Sequence, residues 1–139
     1  MDEAEILRAL QEGVTAAVAA STVPTLPVAY VNVEFDKPDD QKWLEIIWLP
    51  NNVQGDLWGD EKTYRGILRM ILHWPNKGSG AYRPLGLIGS IADYFTKGIL
   101  LDNNVQIYEK PDLTGLIQDG DETLFPVSVR YQSYRKAAS

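Results

Sequence analysis

His73 is the single imidazole in the chain, at the end of an alternating segment and beside Trp74. An imidazole becomes a catalytic base or a zinc ligand only with a serine nucleophile and an orienting acid, or with further ligands, in reach. Neither set accompanies His73, so it reads as a structural or solvent-facing side chain. The run Gly78-Ser79-Gly80 ahead of a helix would present backbone amides to an anion, but no Lys-Ser or Lys-Thr follows, and the third glycine of a dinucleotide fingerprint is missing. It reads as a turn and a helix start. Asp119, Asp121 and Glu122 flank Gly120 at a spacing that does not match an EF-hand loop. A solvated hairpin tip accounts for them. Asp39 with Asp40, and Asp60 with Glu61, are adjacent pairs that point apart on a strand and show no sign of the shared burial that raises a carboxylate pKa. No catalytic residue, cofactor site or metal site is expected.

The elements that must carry these residues follow from size and pattern. A chain of 139 residues suits one domain spanning 1–139 and buries roughly two-thirds of the surface its unfolded form exposes. Hydrophobic residues make up 45% and charged residues 23%, far from the signature of disorder, so the body is expected to fold. No apolar run approaches the roughly 20 residues of a membrane span, and Met1-Asp2-Glu3 does not open a secretory leader. The chain has no cysteine, which removes disulfides, thiolate nucleophiles and thiolate metal sites and fits a reducing cytoplasm. The net charge of -6 argues against a surface that neutralises many phosphates, so no specific nucleic-acid binding is expected.

Along the chain, Ile6, Leu7, Leu10, Val14, Ala17 and Val18 form one stripe of an amphipathic helix over 2–20, ended by the stretch Ser21 to Pro27. Alternation predicts a strand over 28–35 and a turn at Lys37 to Asp40, then a second strand over 42–49. Residues 51–62 are polar but carry Val53, Leu57 and Trp58. A third strand covers 63–74, with Leu68, Met70, Leu72 and Trp74 on one face and Ile67, Arg69, Ile71 and His73 on the other. A second helix covers 82–97, despite Gly86 and Gly89, each of which costs about 1 kcal/mol relative to Ala. It leans on burial of its stripe and on close backbone approach at those glycines. Short strands follow at 105–109 and 125–134. The fold expected is α+β: a mixed or antiparallel sheet of four to five strands with two helices packed on one face.

Four tryptophans and seven tyrosines are numerous for a small acidic domain, and large aromatics are enriched among interface anchors. Trp43 and Trp74 are assigned to the core; Trp48 and Trp58 are divided between core and interface. The face carrying Ile67, Arg69 and Ile71 is more apolar than solvent requires. The candidate interface is therefore Trp48, Leu57, Trp58, Ile67, Arg69 and Ile71.

The stretch Trp43-Leu-Glu-Ile-Ile-Trp-Leu-Pro50, a polar loop, Tyr64-Arg-Gly-Ile-Leu through His73-Trp-Pro75, then Gly78, Gly80 and a helix bearing Ile91-Ala-Asp93-Tyr-Phe95 resembles the tail terminator proteins of long-tailed bacteriophages. Val33, Phe35 and Pro38, and the closing strand Val127 to Tyr131, extend the likeness over nearly the whole chain. The resemblance implies a non-enzymatic virion protein, assembled in the bacterial host cytoplasm. It would form a ring, usually a hexamer, that ends polymerisation of the tail tube at the head-proximal end and joins it to the head. Its partners would be further copies of itself, the tail tube protein and a head-completion protein, with no cofactor, membrane or specific nucleic acid. A ring subunit needs heterologous edges and spare apolar surface, not an active site. The alternatives are another neck, tail-completion or tube protein, or a small ligand-binding α+β domain built on the Gly78 to Gly80 turn.

Overall fold

The computed structural model describes residues 3–50, 54–55, 61–76, 80–102 and 105–136. Helix α1 (Glu3–Ala19) opens the chain and buries Ile6, Ala9, Leu10, Val14, Ala17 and Val18. Glu3 and Glu5 lie in its first turn, where carboxylates suit the positive end of the helix dipole. Strands β1 (Val28–Ala29), β2 (Trp43–Pro50), β3 (Gln54–Gly55) and β4 (Glu61–Pro75) follow, then helix α2 (Tyr82–Tyr94). Strands β5 (Leu100–Leu101), β6 (Val105–Ile107), β7 (Asp112–Leu113), β8 (Ile117–Asp119) and β9 (Glu122–Lys136) complete the described elements.

All nine strands join one sheet whose main order is β1-β2-β4-β9-β6-β5; β3 pairs with β4, and β7 and β8 pair with β9. Only β1–β2 is parallel, so the sheet is mixed. Its spine is the antiparallel pair β4 and β9, in register from Glu61↔Lys136 to Pro75↔Glu122. Because strand side chains alternate, the register builds rows across one inner face. These are Leu44, Leu72 and Phe125, then Ile46, Met70 and Val127, then Trp48, Leu68 and Val129. All but Trp48 are buried there, in one cluster with Ile6, Leu10 and Val14 of α1 and Leu87, Ile88 and Ile91 of α2. Both helices therefore cover the same face, as expected.

The sequence expectation of four to five strands is too low. The additional strands β3, β5, β7 and β8 are two or three residues long, too short for a two-residue period to register. The strand expected over 28–35 is a second correction, since only Val28 and Ala29 pair. Beyond them Asn32 turns to a φ of 57°, and the Val31 N–H donates to the Gln11 side chain at 3.1 Å. The segment is tied to α1 instead of to the sheet, and Val33 is left 60% exposed. The helix expected over 82–97 stops at Tyr94. Close backbone approach at Gly86 and Gly89 is also not found, because a Cβ at either position meets nothing within 4 Å.

Gly66 is where the fold needs the missing side chain. Opposite it on β9, Tyr131 is fully buried and lays its ring over Gly66. A Cβ on Gly66 would stand 2.5 Å from the Tyr131 hydroxyl and 2.7 Å from the Leu49 carbonyl. That hydroxyl accepts a hydrogen bond of 2.7 Å from the Trp48 indole N–H. Burial, opposed by this bond and reinforced by the charge of Glu3, raises the phenol pKa above its ordinary value.

Candidate functional site

His73 lies on the other, outer face of the sheet and is buried, which removes the solvent-facing option. Its ring stacks on Trp43 with centroids 3.8 Å apart and planes within 7°. Its Nε2 lies 2.9 Å from Glu45 and its Nδ1 3.2 Å from Glu122. Both nitrogens are thus engaged by carboxylates on opposite sides of the ring, an arrangement that ties β2, β4 and β9 together and aims no nitrogen at a substrate. Among the described residues there is no group of three acidic or histidine side chains suited to a metal ion.

Glu122 closes the β8–β9 hairpin. Asp119 faces Glu122 across a two-residue turn in which Gly120 adopts a φ of 65°, the geometry that glycine supplies to a tight hairpin. Asp119 and Asp121 are exposed, as expected of a hairpin tip. Gly78 and Ser79 lie outside the described residues. A cleft of about 650 Å³ is lined by Trp74, Asn76, Gly80, Pro84, Gln118, Thr123 and Phe125 among others. Two of its polar side chains are already engaged: the Thr123 hydroxyl donates to Asn76 Oδ1, and Asn76 Nδ2 donates to the Gly120 backbone carbonyl.

The rest of the outer face has a different character. Its rows are Glu45, Ile71 and Pro126, then Ile47, Arg69 and Ser128, then Leu49, Ile67 and Arg130. Arg65 follows on the same face of β4, opposite Gln132. Ile47, Ile67 and Ile71 are half-buried and Leu49 is 41% exposed. A groove of about 330 Å³ runs between Leu49, Pro50, Arg65, Ile67, Tyr108 and Arg130. The Arg65 guanidinium carbon stands 5.8 Å from the centre of the Tyr108 ring. Arg130 reaches Glu109 at a long 3.7 Å, an exposed pair of little energetic weight. Arg69 Nε is buried and has no hydrogen-bond partner among the described residues, which costs about 1 to 3 kcal/mol for an unsatisfied donor. Guanidinium groups beside aliphatic side chains recognise a carboxylate or phosphate carried on an apolar surface.

The structure brings Ile67, Arg69 and Ile71 together on this face. It places Trp48 on the inner face, half-buried and bonded to Tyr131; Leu57 and Trp58 lie outside the described residues. Arg65, Arg130, Leu49 and Tyr108 were missing from the sequence assignment. Arg65 shares the alternation of Ile67 and Arg69 and was there to be found, whereas Arg130 and Tyr108 reach the face only through strand register.

The family model described as phage tail terminator protein matches residues 5–131. One solved structure, titled only by a sequence identifier, is similar with a TM-score of 0.78 at 20% identity, covering 100% of this chain and 99% of that chain. That likeness shows the fold. No curated protein matches the chain.

Proposed function

The chain belongs to the phage tail terminator family, a family of structural tail proteins, and from that premise we propose that it forms a ring, hexameric in the finished particle, on the head-proximal end of the tail tube. There it ends tube polymerisation and offers the surface to which a head-completion protein joins. Its work is contact, not catalysis, and it acts without a cofactor.

The observation that supports this reading is the outer face of the sheet. A single chain leaves Leu49, Ile67, Ile71 and the Arg69 guanidinium under no layer of its own helices, both of which lie on the opposite face. A subunit that meets neighbours by a heterologous contact needs such a face. The proposed interface comprises Ile67, Arg69 and Ile71 on this face, joined by Leu57 and Trp58, with Trp48 on the inner side of β2 fixing the strand that supplies Leu49.

The test is particle assembly in infected cells lacking this protein. Without it, tubes should grow past their normal length and remain unjoined to heads by electron microscopy, and supplying the wild-type chain should restore both. Native mass measurement of the protein recovered from tails should return six copies. Tails of normal length in its absence would overturn the terminating role.

A further inference from the structure

Resting on that reading, a second feature of the surface identifies what the arginine face meets. Beyond Tyr108 the chain runs along the outer edge of β9 as an arm, through β7 and β8. Between Glu109 and Glu122 it carries five carboxylates and one lysine, a large share of a net charge of only -6. The arm also carries Leu113, Leu116 and Ile117, exposed by 46%, 44% and 53%. These are three of the seven large hydrophobic side chains left exposed among the described residues. Asp112 and Asp119 flank them and are exposed as well.

The two surfaces are complements in both charge and polarity. One sets Arg65, Arg69 and Arg130 among Leu49, Ile67 and Ile47; the other sets Asp112 and Asp119 around Leu113, Leu116 and Ile117. Within a chain they meet only in part among the described residues: Arg130 reaches Glu109 at a long 3.7 Å, and no ion pair joins Asp112 or Asp119 to Arg65 or Arg69. Strand register sets Asp112 in the row of Arg69 with Ser128 of β9 between them, and places Asp119 opposite Glu122 at the hairpin end of β9, far along the strand from Arg130. We infer that the arm of one copy docks on the arginine face of the next, its carboxylates meeting the guanidinium groups, Arg69 Nε included, and its aliphatic side chains entering the groove beside Leu49 and Ile67. Because face and arm are different patches, the contact is heterologous and propagates until the ring closes. Among the fully described segments Asn32 to Asp40 is also acidic and apolar, but Phe35 packs on Trp43 at 5.0 Å and Lys37 lies over the same ring. It is committed to its own chain and carries a cation toward the partner.

The test reverses charge on each side: a face variant, Arg69→Glu with Arg130→Glu, and an arm variant, Asp112→Lys with Asp119→Lys. Each alone should lose about tenfold or more of the rings recovered from tails, since like charges then oppose one another at every contact. Mixed in equal amounts the two should recover rings, because an even-membered ring can alternate them so that every contact is again attractive. Combining all four changes in one chain should do the same. Each variant is checked for an unchanged melting temperature, and the rescue itself shows that the variants fold. An arm variant that assembles normally would overturn the inference while leaving the ring intact. So would loss in both without rescue by mixing. Duplex DNA binding by the wild type that the face variant abolishes would assign the arginines to nucleic acid instead. Failure of the wild type to form any ring would count against the function proposed above, a separate result.

Discussion

The two faces of β4 lie a single backbone apart and obey different rules. On the inner face Leu68, Met70 and Leu72 are fully buried, matched in register by Val129, Val127 and Phe125 and roofed by two helices. On the outer face Ile67, Arg69 and Ile71 are half-covered, and Arg69 keeps a buried donor unpaired. The inner face is finished by folding. The outer face holds apolar area and a hydrogen-bond donor left unmatched among the described residues. If the outer face is the assembly surface proposed above, substitutions on the two sides of this one strand should separate stability from assembly.

The largest effect should come from Gly66→Ala, because the new Cβ would meet the Leu49 carbonyl and the Tyr131 ring. The carbonyl belongs to a paired strand and cannot yield cheaply. A loss of about 3 kcal/mol is expected by denaturant unfolding, at the upper end for overpacking. Met70→Ala should cost a similar amount, about 2 to 5 kcal/mol, through the cavity it leaves. If either folds with wild-type stability, the inner face is not the tightly filled layer described.

Trp48→Phe tests the polar link inside that layer. It removes the donor to the buried Tyr131 hydroxyl, with an expected loss of about 1 to 2 kcal/mol. The same hydroxyl gives a pH signature. Its pKa is raised in the folded chain, so the native state holds the proton more tightly than the unfolded state. That contribution is fully present below the ordinary phenol pKa of about 10 and is lost as pH rises through the folded value. Chemical denaturation should show stability falling above pH 10, with a shallower fall in Tyr131→Phe. Equal slopes in both proteins would show that other groups govern alkaline unfolding.

Much of this division was legible in the residues. The alternation from Ile67 to Trp74 separated the two faces correctly, and the stripe of α1 marked its buried side, because long elements repeat their period several times. What stayed hidden depends on pairing. Val28 to Phe35 alternates as well as a strand does, yet Gln11 and a left-handed Asn32 hold most of it off the sheet. Trp48 shares a row with Leu68 only once β2 is registered against β4, so its inner position could not be read from its own strand. The arm between Tyr108 and Asp119 pairs in pieces of two or three residues, with no period for a sequence to display. Half of the outer face was visible from β4 alone; Arg130 and Tyr108 come from strands distant in sequence.

Helix α2 offers a gentler test. Gly86 and Gly89 face open space, so Gly86→Ala and Gly89→Ala should each stabilise the subunit by about 0.5 to 1 kcal/mol through helix propensity and lost unfolded-state freedom. Thermal melts would read this as a small upward shift. A destabilised protein would mean that the backbone there is approached by another part of the chain.

The smallest expected effect on the isolated subunit tests the comparison most directly. Ile71→Thr on the outer face keeps a β-branched side chain of similar shape and strand preference and exchanges a methyl-bearing arm for a hydroxyl. On the inner face such a change would strand a polar group in the core. Here Ile71 is already half in water, so the transfer cost should stay within about 0.5 kcal/mol and the hydroxyl can remain hydrated. Assembly is another matter, since a docked neighbour would bury that hydroxyl against apolar surface without a partner and weaken every contact around the ring. The expected pattern is a melting temperature close to wild type with a clear loss of rings and of joined tails. A melting temperature lowered as far as that of Met70→Ala would place Ile71 in a core layer of the single chain and erase the distinction between the faces. Unchanged melting with unchanged assembly would leave Ile71 as surface that no neighbour touches, and the interface would then have to lie toward Arg65 and Leu49.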